Sequence, residues 1–158
     1  MRAFLRMQFL CLLVVTTFAT STWAAPGSKS RCQTVGGTIM TNFGAVDANT
    51  TLGSATGDLK GSVAATVLNV APGSGGTVVF TVQHHWVTES GDTIFTDPAQ
   101  AVTLPLSQTL FAVITYTVHV TGGTGKFAGL TGDLHSIGEA DLSSGTVFRY
   151  SGKLCSSE

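Results

Sequence analysis

The chain has 158 residues, with eight basic and nine acidic side chains, a formal charge of −1, 43% hydrophobic residues and only 11% charged ones. A near-neutral balance without a cluster of Lys or Arg excludes the basic surface that nucleic-acid binding needs. The length suits one domain with one core and hardly two.

Met1-Arg2-Ala3-Phe4-Leu5-Arg6 forms a short basic head, followed by an apolar run over residues 7–18 and by small residues up to Ala24. This three-part layout predicts a secretory signal peptide over residues 1–24, because cutting one residue later would set Pro26 beside the scissile bond. The apolar run is too short to span a bilayer, and the rest of the chain shows no membrane feature, so no stable membrane insertion is expected. Removing 24 of 158 residues leaves 134; Arg2 and Arg6 depart, and six basic residues then face nine acidic ones, a formal charge of −3.

Residues 25–31, "APGSKSR", read as a flexible leader, and residues 32–158 as a single all-β domain. Val, Thr and aromatic residues alternate with small ones and predict strands over 33–42, 57–69, 77–89, 92–96, 101–106, 110–121, 126–141 and 145–155. No window carries a helical stripe. "APGSGG" (71–76), "ESGD" (89–92) and "LSSG" (142–145) are hairpin connections by their turn residues. Pro98 and Pro105 bracket a weak strand expected at an edge or a bulge. Residues 43–56 are polar and less periodic and read as a long loop, within which Asn49-Thr50-Thr51 is a glycosylation sequon if the source is a eukaryote.

Cys11 leaves with the signal peptide, so the mature chain keeps Cys32 and Cys155. In an oxidising compartment two such cysteines form a disulfide, and the chain has no Cys-x-x-Cys spacing that would favour redox or metal chemistry. About eight antiparallel strands can close into a barrel or stack as a sandwich. Cys32 opens the first strand and Cys155 ends the last, so in a barrel the two meet at one rim and pin the seam. That placement favours the barrel over a sandwich, whose bridge would sit within strands.

"GGTGKFAGLTG" (122–132) has the look of a phosphate loop, but Gly125-Lys126 is followed by Phe127 and strand pattern runs on both sides. A phosphate loop requires Ser or Thr after the lysine and then a helix. The stretch therefore reads as a glycine-rich corner between strands, with Phe127 turned into the core. It is similar to the Gly-Gly-Ser/Thr-Gly-x-Phe-x-Gly-x-x-Gly segment of allene oxide cyclases and, more loosely, of plant dirigent proteins, and it looks like secreted bacterial proteins that carry the same barrel. The resemblance is specific over these eleven residues and fits the strand layout from residue 33 to 155. It implies an eight-stranded antiparallel β-barrel of calycin type, often trimeric, with a cavity for a small apolar ligand and no cofactor. Plant relatives cyclise an unsaturated epoxide or steer the coupling of phenoxy radicals, and some bacterial relatives close rings in polyketides. The matched corner is structural, so the activity does not transfer with it.

Candidate chemistry starts at "VQHHWVTES" (82–90), where strand alternation sets His84 and Trp86 on one face with Phe80 and Val82, and His85 on the other with Gln83 and Val87. Adjacent histidines on opposite faces cannot share a metal, and no metal site is expected without His119 or His135 from elsewhere. If the His84 face lines the lumen, His84 offers a hydrogen bond or a proton to a ligand stacked on the Trp86 indole; a satisfied structural histidine is the plainer alternative. On the strand 110–121, alternation puts Tyr116 with Leu110, Ile114 and Val118, as a lumen residue or a core tyrosine. Asp133, His135, Ile137, Glu139 and Asp141 share one face, which reads as a solvated exterior, or as a charged lumen cluster with Arg149 as its counter-charge. Ligand-binding candidates are thus His84, Trp86, Tyr116, Phe80 and Arg149. Two classes of function follow: a secreted barrel that binds a small apolar ligand or promotes its cyclisation, and a structural or adhesive oligomeric barrel without a site.

Overall fold

A computed structural model describes residues 31–156. The expected signal peptide and residues 25–30 of the expected leader lie outside the described residues, and Arg31 already belongs to the first strand. Nine strands follow: β1 (Arg31–Asp47), β2 (Thr50–Ala55), β3 (Gly61–Pro72), β4 (Val78–Thr88), β5 (Thr93–Thr96), β6 (Ala99–Pro105), β7 (Leu110–Gly123), β8 (Leu130–Asp141) and β9 (Gly145–Ser156).

All pairings are antiparallel, and the sheet closes on itself. β1 pairs with β2 and β9, β3 with β2 and β4, and β8 with β9 and β7. β5 and β6 share one place between β4 and β7, β5 beside Trp86 and Val87 and β6 beside residues 78–82. They are halves of one stave broken at Asp97-Pro98, where Pro98 has no amide hydrogen to give and Asp97 N–H donates to the His119 carbonyl at 3.1 Å. Nine strands therefore make an eight-stranded antiparallel barrel. The weak strand between the prolines is at a bulge and not at an edge, because a closed barrel has none.

Three sequence expectations need correction. Residues 43–56 are not a long loop: they hold the end of β1, a tight turn and β2. β2 reads "TTLGSA", short and small, and is a strand because it lies between β1 and β3; a Cβ at its Gly53 would collide with the Met40 carbonyl. β3 and β8 begin later than expected, at Gly61 and Leu130, since Gly57–Leu59 and Gly125–Phe127 are single 3₁₀ turns. These two turns share the pattern Thr-Gly-x-apolar-x-Gly (56–61 and 124–129) and nearly the same flanking backbone, with Thr56 at φ −112° and Thr124 at φ −105°. Each sends its apolar residue, Leu59 or Phe127, inward to about 1% exposure. The left-handed φ of +51° at Gly125 is open to glycine, and a Cβ there would also strike the Asp92 carboxylate.

Alternating strand directions put both 3₁₀ turns, the β4–β5 hairpin and both ends of the described chain at one end of the barrel. That end is closed. Trp86 packs edge-on against Tyr150 with ring centroids 5.5 Å apart, and Trp86 Nε1–H donates to the Leu59 carbonyl at 2.8 Å. The Tyr150 hydroxyl accepts from Leu59 N–H at 3.1 Å and donates to the Thr56 carbonyl at 2.8 Å. Ile94, Val120, Leu134 and Leu154, each at most 1% exposed, fill the remaining space.

Cys32 and Cys155 are directly opposed on β1 and β9, 4.0 Å apart at Cα, and are disulfide-bonded across 123 residues of sequence at this end. Mature protein unfolded without reductant should show no free thiol on titration, and reduction should lower its stability by about 4 kcal/mol in urea titrations; two reactive thiols per chain would contradict the bridge. Tyr150→Phe should cost about 1–3 kcal/mol, because it leaves the buried Leu59 amide unpaired and removes the bond to the part-buried Thr56 carbonyl. An unchanged urea midpoint would show that those two groups find other partners.

Candidate functional site

Above the Trp86 and Tyr150 layer the interior side chains become smaller and leave a cavity of ≈ 70 Å³ toward the other end. Ala65, Val67, Phe80, Ala101, Val113 and Phe148 make up much of its apolar wall, and Phe43 and Leu142 stand where the turns of the open end begin. Its polar wall groups are mostly bonded within the protein. Thr41 Oγ1 and Thr146 Oγ1 are 2.7 Å apart, Thr103 donates to the Val78 carbonyl at 2.9 Å and Thr51 to the Ala65 carbonyl at 3.4 Å.

His84 and Tyr116 bond to each other. Both are buried and line the cavity, and the Tyr116 hydroxyl lies 2.6 Å from His84 Nε2. Tyr116 also stands 5.7 Å from the His84 ring and 5.8 Å from Phe148 between centroids. The other imidazole nitrogen, His84 Nδ1, has no hydrogen-bond partner. Burial, helped by the neighbouring His85, takes the His84 pKa from 6.5 down to about 4, so the ring is neutral at pH 7. Burial likewise pushes the Tyr116 hydroxyl above its ordinary range. The pair is therefore uncharged and shares one short hydrogen bond.

The expected site residues divide. Phe80, His84 and Tyr116 come together at the cavity, with Phe80 also edge-on to Phe111 at 5.2 Å. Trp86 shares their face of β4, but it belongs to the closed end and its indole N–H is used on Leu59. Arg149 is exposed on the outer surface of β9, opposite Thr38 and Ile137. Asp133, His135, Ile137 and Glu139 are likewise exposed, which gives the solvated exterior; the charged lumen cluster is not formed. There His119 Nδ1 meets Asp133 at 2.8 Å and His135 Nδ1 meets Thr117 at 3.0 Å. Among the described residues no group of three His, Cys, Asp or Glu side chains lies close enough to hold a metal ion.

Two neighbour assignments for Tyr116, Leu110 and Ile114, were wrong. Ile114 is 48% exposed, and Phe111 and Val113 face inward instead. The register against β6 jumps from Val102 opposite Thr115 to Thr103 opposite Val113, so Ile114 is the extra residue of a bulge that reverses the alternation. Thr41, Thr146 and Phe148 are wall residues that the sequence reading left out, although the alternation of β1 and β9 carried their signal.

No family model matches the chain, and no curated protein does. Among solved structures it is similar to that of the pterocarpan synthase dirigent protein GePTS1, at 12% identity and a TM-score of 0.35, covering 87% of this chain and 99% of that one. A likeness at that level carries no argument about ligand or activity.

The depressed His84 pKa ties stability to pH. The unfolded chain takes up this proton near pH 6.5 and the folded one only near pH 4, so stability falls as pH drops through that window. The full loss is about 3 kcal/mol. Urea titrations at pH 7 and pH 4 should show it in the wild type and show a correspondingly smaller loss in His84→Phe. Equal losses in the two proteins would assign the acid sensitivity to other groups.

Proposed function

We propose that the chain is an exported protein, released from a signal peptide over residues 1–24, whose barrel binds a small apolar ligand through its open end. The carrying observation is the one-ended, largely apolar cavity with the bonded His84–Tyr116 pair in its wall. Apolar walls supply affinity, and a few polar groups supply orientation. The Cys32–Cys155 bridge is compatible with export to an oxidising compartment.

The His84–Tyr116 pair favours a second reading, cofactor-independent cyclisation of an unsaturated ligand. A neutral imidazole bonded to a hydroxyl can take a proton at one site and return it at another, and isomerisation requires no more. The resemblance of the glycine-rich corner implies a homo-oligomer, a trimer, which sedimentation equilibrium would read directly.

A panel of aromatic hydrocarbons, phenolics and unsaturated fatty acids, titrated with detection by nuclear magnetic resonance, should perturb signals of Phe80, Tyr116 and Phe148. Trp86 fluorescence should stay nearly constant, since the indole is packed below the cavity. Any turnover should give a product of unchanged mass but altered chromatographic retention, and Tyr116→Phe should slow it by about 10²-fold or more while leaving apolar binding in place. If no compound binds, the ligand reading falls and a structural or adhesive barrel takes its place.

A further inference from the structure

We infer that the barrel wall opens locally at the Asp97-Pro98 break, with the Gln83 side chain as its latch, and that the opening gives water and protons a route to His84 which does not pass the open end. The inference stands on the construction of the wall and holds whether or not the cavity takes a ligand.

The break leaves a gap in the ladder. β4 pairs with β6 over Val78–Val82 and with β5 at Trp86 and Val87, so residues 83–85 pair with neither. Peptide groups along β4 alternate in direction: Thr88 N–H donates to the Asp92 carbonyl on the β5 side, and Glu89 N–H to the Lys60 carbonyl on the β3 side. By that alternation the peptide groups of His84 point into the gap, and the register of Trp86 with Ile94, continued by two residues, sets Thr96 opposite. A side chain takes the place of the missing rung. Gln83 Nε2–H donates to the His84 carbonyl at 3.1 Å and to the Thr96 carbonyl at 3.2 Å.

The two residues tied in this way are also those that the closed wall serves worst. Among the described residues, two buried side-chain polar atoms lack a hydrogen-bond partner, His84 Nδ1 and Thr96 Oγ1, one on each edge of the gap. The closed wall keeps water from both, and an opening admits it, so parting the edges here recovers some of its own cost. Parting two strands elsewhere gives up a series of backbone bonds without that return.

Position connects the gap to the interior. His84 borders both the cavity and a groove of ≈ 310 Å³ between β4 and β5 that is also lined by the exposed His85, Val87 and Phe95. One residue therefore separates the outer groove from the interior. Gln83 is half-buried beside that groove, so its side chain can leave the gap for solvent without crossing the cavity.

Native-state hydrogen exchange at pH 7, followed by nuclear magnetic resonance in urea below the unfolding transition, tests the port. The His84 amide should exchange through an opening that urea scarcely accelerates, whereas the Leu134 and Leu154 amides in the far wall should follow urea-sensitive unfolding. Gln83→Leu, which fills the same space without an N–H, should speed exchange at His84 about five- to tenfold, as the loss of one net hydrogen bond implies. A route through the open end would be equally insensitive to urea but indifferent to Gln83. If urea accelerates His84 as steeply as Leu154, or if Gln83→Leu leaves its rate unchanged, the port is overturned. Should Gln83→Leu not fold, Gln83→Glu removes the same donor and must give the same acceleration.

Discussion

The hydrogen bonds that tie the Gly57–Leu59 turn to Tyr150 and Trp86 determine which way the barrel opens. Three bonds from two aromatic residues, two to Leu59 and one to the Thr56 carbonyl just before the turn, hold it across one end of the barrel. Tyr150 reaches it from β9, Trp86 from β4, and Leu59 fills the space beneath them. Leu59 is buried, its amide and carbonyl would be costly to leave unpaired, and the two rings supply partners while contributing large apolar surfaces. The Gly125–Phe127 turn repeats the plug on the opposite wall of the same end, and the Cys32–Cys155 bridge holds the first and last strands there. With one end sealed, any ligand has a single way in.

The polar pair sits where that sealed layer gives way to the cavity. In water a neutral imidazole and a phenol would gain little from each other, since solvent competes for both. Within the barrel the solvent is gone, the charged form of His84 is disfavoured and the bond to Tyr116 is short. The same desolvation makes the unpaired Nδ1 expensive to the folded protein. The barrel therefore gives up some stability at this position, a common mark of a residue kept for something other than packing.

Periodicity made most of the fold legible. Alternation located seven of the eight staves; the glycine clusters marked the three hairpins, and the cysteine positions chose the barrel. β2 escaped because Thr-Thr-Leu-Gly-Ser-Ala has little strand character of its own and becomes a strand through its neighbours, where small residues permit close approach. At the site, strict alternation found Phe80, His84 and Tyr116 but could not separate wall from floor, so Trp86 was grouped with them. It failed across Ile114 because one inserted residue reverses every later face, and a bulge leaves no mark in composition. Arg149 was placed inside only as a counter-charge to a cluster that proved to be solvated. The repeated Thr-Gly-x-apolar-x-Gly corner was visible in the sequence at 56–61, yet its meaning required seeing both copies at one end of the barrel.

The cavity itself follows from a change in side-chain size along a wall of constant circumference. Eight strands enclose a space that side chains can just fill or that holds one small ligand. At the closed end the inward positions are Leu59, Trp86, Ile94, Phe127 and Tyr150, and no space remains. Toward the open end the short residues Thr41, Thr51, Ala65, Ala101, Thr103 and Ala140 stand among larger ones such as Phe80, Val113 and Phe148, and the space lies over the short ones. The backbone does not differ between the two levels in strand number or pairing direction. Whether this barrel is a solid plug or a receptor is therefore decided at a few alanine and threonine positions. An apolar side chain the size of leucine at Ala65 or Ala101 would fill the space without disturbing the aromatic layer below it.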